Sequence, residues 1–187
     1  WVNGEEVGKN TGGNLPFSFD MTKAVKGGEN EILVRVTDST DKRGTYQLHG
    51  KQKLNPKGIW YTPVSGIWQT VWMEEVPDSY WITSIKTTSS NDGKVSIEIK
   101  FDMSMAITRS LATEAEVFLD GEKVAAASGS HAEALKIEIP EPKLWFPDSP
   151  TLYDVRVRLA DDWIQSYFGF RETTVEKDAD GHLRFLL

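Results

Sequence analysis

The sequence has 187 residues, a formal net charge of −7 and no cysteine. The acidic balance argues against nucleic acid or an anionic membrane as the main partner, and no stretch reaches the roughly 20 apolar residues that a membrane span needs. The lack of cysteine excludes disulfides and thiolate metal sites. The length and composition indicate one or two ordinary globular domains.

The first part of the chain alternates apolar and polar residues between turn residues, which is typical of an all-β fold. Asn3-Gly4 predicts a type I′ hairpin turn, because these two residues tolerate positive φ angles. The alternation predicts further strands at 16–20, 31–36 and 66–75, the last two separated by a long irregular stretch. The pattern restarts after 76–78, where a proline predicts a domain boundary.

A second unit is predicted from residue 80, with seven short strands, the number found in an immunoglobulin-like sandwich. The predicted strands are 81–87, 94–102, 114–120, 122–126, 135–139, 152–160 and 163–170. The predicted turns are 91–93, 120–121 and 161–162. Period-two alternation predicts the following core-facing side chains: Ile97, Ile99, Phe101, Val117, Leu119, Val155 and Val157. A turn at 179–181 and an apolar strand at 183–187 end the sequence.

Several short strings follow one another along nearly the whole chain. They are Trp1-Val2-Asn3-Gly4, Thr11-Gly12-Gly13, Pro16-Phe17-Ser18-Phe19-Asp20, Gly28-Glu29-Asn30, Val34-Arg35-Val36, Gly50-Lys51-Gln52, Ile59-Trp60-Tyr61, Ser65-Gly66-Ile67-Trp68-Gln69-Thr70-Val71-Trp72, Leu144-Trp145-Phe146-Pro147-Asp148-Ser149-Pro150 with Leu152-Tyr153, and Phe168-Gly169-Phe170-Arg171. In this order they resemble the accessory region of glycoside hydrolase family 2, which contains β-galactosidases, β-glucuronidases and β-mannosidases.

The resemblance implies a partial jelly-roll, sugar-binding domain over 1–77, an immunoglobulin-like β-sandwich over 78–170, and a lead-in at 171–187 toward a (β/α)8 barrel that is absent. In the family, two barrel glutamates act as acid/base and nucleophile of a retaining O-glycoside hydrolase. The chain is therefore expected to be an accessory fragment that supports and partly lines an active site located in the barrel. On its own it is expected to be inactive, with no catalytic residue, cofactor or metal site.

The segment 42–73 is a local reversal in this acidic chain, because it contains no Asp or Glu. Its cations are Lys42, Arg43, Lys51, Lys53 and Lys57, and its aromatic residues include Tyr46, Trp60, Tyr61, Trp68 and Trp72. Sugars stack their CH faces on aromatic rings and hydrogen-bond to polar neighbours. The residues predicted to bind substrate are Lys51, Gln52, Trp60 and Tyr61. Strand context predicts burial for Trp68 and Trp72, whereas packing and sugar binding both stay open for Trp60.

Two other functions remain open at this stage. One is a stand-alone carbohydrate-binding module, and the other is a structural or adhesive β-sandwich, although the internal repeat expected of the latter is not visible. The expected partners are a carbohydrate and the remainder of the parent polypeptide. An incomplete jelly roll exposes apolar edges, so residues 1–77 are expected to pair with another chain, which would make a homo-oligomer, or to pair with other fragments of the protein, or to be more mobile than 80–170. The acidic string at 178–181 predicts a β-turn and not a calcium loop, and His49, His131 and His182 are too dispersed for a metal site.

Overall fold

The computed structural model describes residues 1–42, 44 and 47–187. All regular structure among them is β, with eleven strands. Backbone contacts divide the chain into two compact units, an N-terminal unit, Trp1–Met73, and a C-terminal unit, Glu74–Leu187. The described residues include no helix with the length and hydropathy that a membrane span requires. The all-β fold class is confirmed, whereas the predicted domain boundaries stay predictions.

Every strand of the structure lies in the C-terminal unit as far as the described residues extend. The strands are β1 (Tyr80–Ser89), β2 (Lys94–Met103), β3 (Ala112–Leu119), β4 (Glu122–Ser130), β5 (Leu135–Glu138), β6 (Trp145–Phe146), β7 (Ser149–Pro150), β8 (Tyr153–Leu159), β9 (Asp162–Phe168), β10 (Thr174–Lys177) and β11 (Leu183–Leu186). They form a three-stranded sheet, β1-β2-β5, a four-stranded sheet, β4-β3-β8-β9, and the hairpins β6-β7 and β10-β11. All seven strands predicted for 81–170 are present.

The two larger sheets pack face to face as a β-sandwich, with β1 against β9 and β5 against β4. Their inner faces form one apolar core, and the pattern in β8 is strict alternation of buried and exposed residues. Ile97, Val117, Val155 and Val157 are fully buried, and the other predicted core residues, Ile99, Phe101 and Leu119, pack partly buried against them. The predicted inward set is therefore confirmed.

Two glycine turns connect strands of the sandwich in different ways. Asp120-Gly121 has φ angles of 53° and 84° and joins β3 to β4 as a tight hairpin. Gly93 has a φ of 88° and lies so close to the end of β5 that an added Cβ would be 2.1 Å from the carbonyl oxygen of Ile139. The Ile139 amide also donates a hydrogen bond of 2.9 Å to the Gly93 carbonyl. Gly93 is thus required both for its backbone conformation and for lack of a side chain.

The turn predicted at 161–162 is wrong by one residue. Leu159 pairs with Asp162, so the turn consists of Ala160 and Asp161, and Ala160 takes a φ of 50°. The Asp162 carboxylate accepts a hydrogen bond of 2.7 Å from the Ile82 amide, which holds this residue in the strand. The prediction placed both Asp161 and Asp162 in the turn, and it could not include this bond because Ile82 is distant in the sequence.

In the N-terminal unit, the predicted hairpin at Asn3-Gly4 is confirmed. The φ angles are 50° and 84°, and Val2 and Glu5 exchange backbone hydrogen bonds of 2.8 and 2.9 Å. The Asn3 side chain also donates bonds of 2.8 Å to the Ala24 carbonyl and to Asn30. Asn3 therefore joins three separate parts of this unit.

The strands predicted at 16–20, 31–36 and 66–75 are wrong. Only Ile32 within them makes a bridge, with Val2, and the rest is extended or irregular backbone. Alternation indicates which residues could share a buried face, but a strand also needs a hydrogen-bonded neighbour. Among the described residues, the hydrogen-bonded neighbour of 31–36 is short: Leu33 exchanges two bonds of 2.9 Å with Trp1, and the Asn3 amide donates one of 2.9 Å to the Glu31 carbonyl. Leu33 and Val34 are 59% and 56% exposed.

Candidate functional site

The four predicted substrate-binding residues are brought together by a short backbone ladder in the N-terminal unit. The Tyr61 amide donates a hydrogen bond of 2.7 Å to the Lys51 carbonyl, and the Lys53 amide donates one of 3.0 Å to the Tyr61 carbonyl. Gln52 and Tyr61 form the parallel bridge between these bonds. Residues 51–53 therefore lie beside residues 60–61, with Lys51, Gln52, Trp60 and Tyr61 in one small region.

The Gln52 side chain has a structural role that the sequence did not indicate. Its Oε1 accepts a hydrogen bond of 2.8 Å from the Val64 amide, three residues beyond Tyr61. The Gln52 side chain thus adds a bond at Val64 to the bridge that the flanking Lys51 and Lys53 backbone groups make with Tyr61.

The aromatic rings of the site are accessible and one of them carries a cation. Trp60 is 39% exposed and Tyr61 is 64% exposed. The Lys53 ammonium lies 4.5 Å from the centroid of the Trp60 ring, which is a cation–π contact. Lys53 is therefore a further site residue, one that the sequence had placed only among the general cations of the segment.

The predicted burial of Trp68 and Trp72 is wrong, since both are 69% exposed. The prediction assumed a strand at 66–75, and without it no sheet of the described residues covers these rings. Trp68 is instead tied by its Nε1, which donates a hydrogen bond of 2.8 Å to the Gly13 carbonyl. Arg43 and Tyr46, also named in the prediction for this segment, lie outside the described residues.

An acid just outside segment 42–73 joins two parts of it. Asp38 accepts hydrogen bonds from the Ser65 hydroxyl and from the Gln47 side-chain amide. These bonds, that from Ser65 first, lower the pKa of Asp38 below its ordinary value of 3.8. Asp38 is therefore an ionised carboxylate that clamps the segment, a role that its position in the sequence did not reveal.

In the β10-β11 turn, Asp178, Asp180 and His182 place possible metal-ligand atoms within 4.8 Å of one another. The Asp178 carboxylate is already used: Oδ1 accepts from the amides of Asp180 and His182 at 3.0 and 2.9 Å, and Oδ2 accepts from Arg184 Nε at 2.8 Å. The Arg184 contact is the main cause of a lowered pKa for Asp178. With a Gly181 amide bond to the Asp178 carbonyl of 3.0 Å, this is the predicted β-turn.

Comparison with known families identifies the family of this β-sandwich chain. Residues 71–171, more than half of the chain, match the model of the family described as glycosyl hydrolases family 2. The chain belongs to glycosyl hydrolases family 2. The resemblance seen in the sequence is thereby confirmed.

Individual relatives agree with this assignment. A protein of Formosa agariphila whose name proposes a β-glucuronidase is 30% identical over 188 residues, covering 91% of this chain and 16% of that protein. A β-galactosidase of Leuconostoc mesenteroides is 28% identical, covering 86% of this chain and 16% of that protein. A β-glycosidase structure from Bacteroides vulgatus shares the fold with a TM-score of 0.65 at 24% identity, covering 100% of this chain and 23% of that one. The chain thus spans only 16% of these two curated relatives.

Proposed function

We propose that this chain is an accessory region of a family 2 O-glycoside hydrolase that supports an active site held elsewhere and contacts the sugar at its entrance. In this proposal the N-terminal unit belongs to a jelly-roll domain and the C-terminal sandwich is the immunoglobulin-like domain that follows it. The observation that carries the sugar contact is the ladder that joins 51–53 to 60–61, because it presents two accessible rings beside ammonium groups.

The chemistry of this site suits a saccharide. The apolar CH face of a pyranose packs on the exposed part of the Trp60 or Tyr61 ring, while the hydroxyl groups accept hydrogen bonds from lysine ammonium groups. Lys53 sits against Trp60 and limits the orientations that this ring takes. A ring held in one orientation loses less conformational entropy on binding, which favours a weak but specific contact.

The same site is unsuited to breaking the glycosidic bond. Retaining hydrolysis needs two carboxyl groups about 5–5.5 Å apart on either side of the sugar. The segment 42–73 contains neither Asp nor Glu. The adjacent Asp38 is hydrogen-bonded to Ser65 and Gln47, and its lowered pKa makes it a poor proton donor. This supports a binding role for the segment and leaves the acids to another part of the enzyme.

Saccharide binding to the 187-residue chain tests the sugar contact directly. We would titrate methyl β-D-galactoside and methyl β-D-glucuronide and follow saturation transfer from protein to sugar by NMR. Trp60→Ala and Tyr61→Ala are each expected to weaken binding about tenfold, which corresponds to about 1.4 kcal/mol. Phe185→Ala is the control, since Phe185 is an exposed aromatic residue of the C-terminal unit that belongs to neither proposed site. Unchanged binding in both site variants, or loss only in the control, would refute the assignment.

A second measurement separates sugar binding from packing in the longer enzyme. Trp60→Ala is expected to lower kcat/KM markedly and to lower the melting temperature only slightly. A pure packing role predicts the reverse, with a stability loss of about 3–5 kcal/mol as for a buried aromatic residue. Binding by this chain alone that is as tight as binding by the longer enzyme would favour the stand-alone module.

A further inference from the structure

The outer face of the four-stranded sheet has an ordered arrangement of charge that the proposed function does not use. On this face β3 presents the acids Glu114 and Glu116, and β8 presents the bases Arg156 and Arg158. The strand register places Glu114 opposite Arg158 and Glu116 opposite Arg156. A column of acids, Glu114 and Glu116, therefore runs beside a column of bases, Arg158 and Arg156, and beyond them on the same face the acid Asp154 lies opposite Phe118.

The two edges of this outer face have complementary shapes. On the β9 edge, Trp163 and Tyr167 are 58% and 66% exposed and, with the exposed Gln165 between them, form a ridge with an aromatic residue at each end. Toward the β4 edge, a shallow depression of about 240 Å³ lies between β3 and β4 and is lined by the small residues Ala126 and Ser128 together with Glu114 and Glu116. Arg156 supports the ridge, because its guanidinium carbon lies 5.5 Å from the centre of the Trp163 ring.

We propose that two copies of this chain associate through this outer face, around a two-fold axis that lies in the interface and runs parallel to the strands between β3 and β8. Such a rotation exchanges the order of the strands, so that β3 of one copy faces β8 of the other and β4 faces β9. The acid column then meets the base column twice, and each ridge meets a depression. A two-fold interface requires this self-complementarity.

The charges select this axis over the other in-plane two-fold axis. An axis perpendicular to the strands would place each central strand opposite its own copy, with Glu116 against Glu116 and Arg156 against Arg156. Like charges brought into contact oppose association, whereas the parallel axis places Glu116 against Arg156 in both halves. Within one chain Glu116 already pairs with Arg156 at 3.9 Å and, more closely, with Lys123 of β4 at 3.1 Å, so the dimer joins two such triads into a six-charge network.

The size of the face sets the strength of the association. Four strands about 4.8 Å apart and about 20 Å long cover roughly 400 Å² per copy. A stable complex buries about 800 Å² per partner, so the dimer is weak and exchanges rapidly. Because its central contacts are between charged groups that remain near solvent, we expect association to fall as ionic strength rises.

A charge swap tests the proposal on the 187-residue chain, with self-association measured by sedimentation equilibrium at low salt. Arg156→Glu brings carboxylates against carboxylates across the interface, and Glu116→Arg brings guanidinium groups against guanidinium groups. Each variant alone should therefore associate at least about tenfold more weakly than the wild-type chain. An equimolar mixture of the two variants restores opposite charges in both halves and should recover association. Lys86→Glu is the matched control, because Lys86 forms an exposed pair of 3.4 Å with Glu98 on the other sheet.

Recovery in the mixture, with no effect of the control, supports the dimer specifically. A wild-type chain that remains monomeric at every concentration would overturn it, as would association that persists unchanged in both single variants. The latter result would assign self-association to another surface, such as the exposed apolar segments of the N-terminal unit. Saccharide binding at Trp163 without self-association would assign the ridge to a glycan and would also overturn the proposal.

Discussion

Gly93 provides the sharpest test of how the sandwich is assembled. An alanine at this position would keep a φ of 88°, which costs an L-residue about 1–2 kcal/mol. Its Cβ would also be 2.1 Å from the Ile139 carbonyl oxygen, which is backbone and cannot simply rotate away. Relieving that overlap should weaken the 2.9 Å bond between the Ile139 amide and the Gly93 carbonyl, at a further cost of about 1 kcal/mol or more. Gly93→Ala should therefore destabilise the unit by about 2–4 kcal/mol.

Gly121→Ala is the control for the backbone term alone. Gly121 has a φ of 84°, and no atom of the described residues beyond its chain neighbours lies within 4 Å of where its Cβ would be. It should cost only about 1–2 kcal/mol. Hydrogen exchange of the buried amides in β3 and β8, measured by mass spectrometry at several denaturant concentrations, reports the free energy of unfolding of the C-terminal unit by itself. Equal losses in the two variants would refute the reasoning, because the Ile139 contact would then contribute nothing.

Two further predictions concern single groups of the same unit. The pKa of Asp92 is lowered from 3.8 to about 2, chiefly by its hydrogen bond from Lys94 and then by that from Ser90. Because the pKa of Asp92 is lower in the folded than in the unfolded chain, its stabilisation is present above about pH 3.8 and is lost as the pH falls to about 2. Carboxyl NMR should show this titration. Asp92→Asn should abolish this part of the pH dependence of stability. Tyr153→Phe should cost about 1–3 kcal/mol, because the buried hydroxyl accepts a bond of 2.8 Å from the Lys143 amide; an unchanged denaturant midpoint would contradict this.

The sandwich could be predicted from sequence because several strands that follow each other in the chain also pair with each other in the sheet. In β8, Val155 and Val157 alternate with charged residues, and neighbouring strands of similar pattern follow within short turns. In the N-terminal unit the segment 31–36 has an equally clear apolar pattern, but the described residues place only one bridge there, at Ile32. Local pattern identifies a face that favours burial, and only tertiary pairing decides whether it becomes a strand.

For the candidate site, the sequence indicated residues whose binding of sugar stays a prediction, and it did not indicate how those residues come together. The aromatic and polar residues of an acid-free segment indicated Lys51, Gln52, Trp60 and Tyr61, yet no spacing rule connects 51–52 with 60–61. The parallel bridge is a tertiary contact, as is the position of Lys53 over Trp60. The charge columns of the outer sheet face follow the same logic. Alternation shows that the acids and bases point outward, but only the order β4-β3-β8-β9 shows that the columns are adjacent.

Proximity of carboxylates alone does not create a glycosidase site, and the β10-β11 turn shows why. Asp178 and Asp180 offer oxygens within 4.8 Å of each other, close to the separation of about 5–5.5 Å that retaining enzymes use. A general acid needs a pKa raised toward the working pH by burial, whereas the Arg184 guanidinium lowers the pKa of Asp178. The short separation instead follows from the turn, in which Asp178 accepts two backbone amides. The rings that suit a sugar lie in a segment without acids, and this separation of binding groups from acids favours an accessory role.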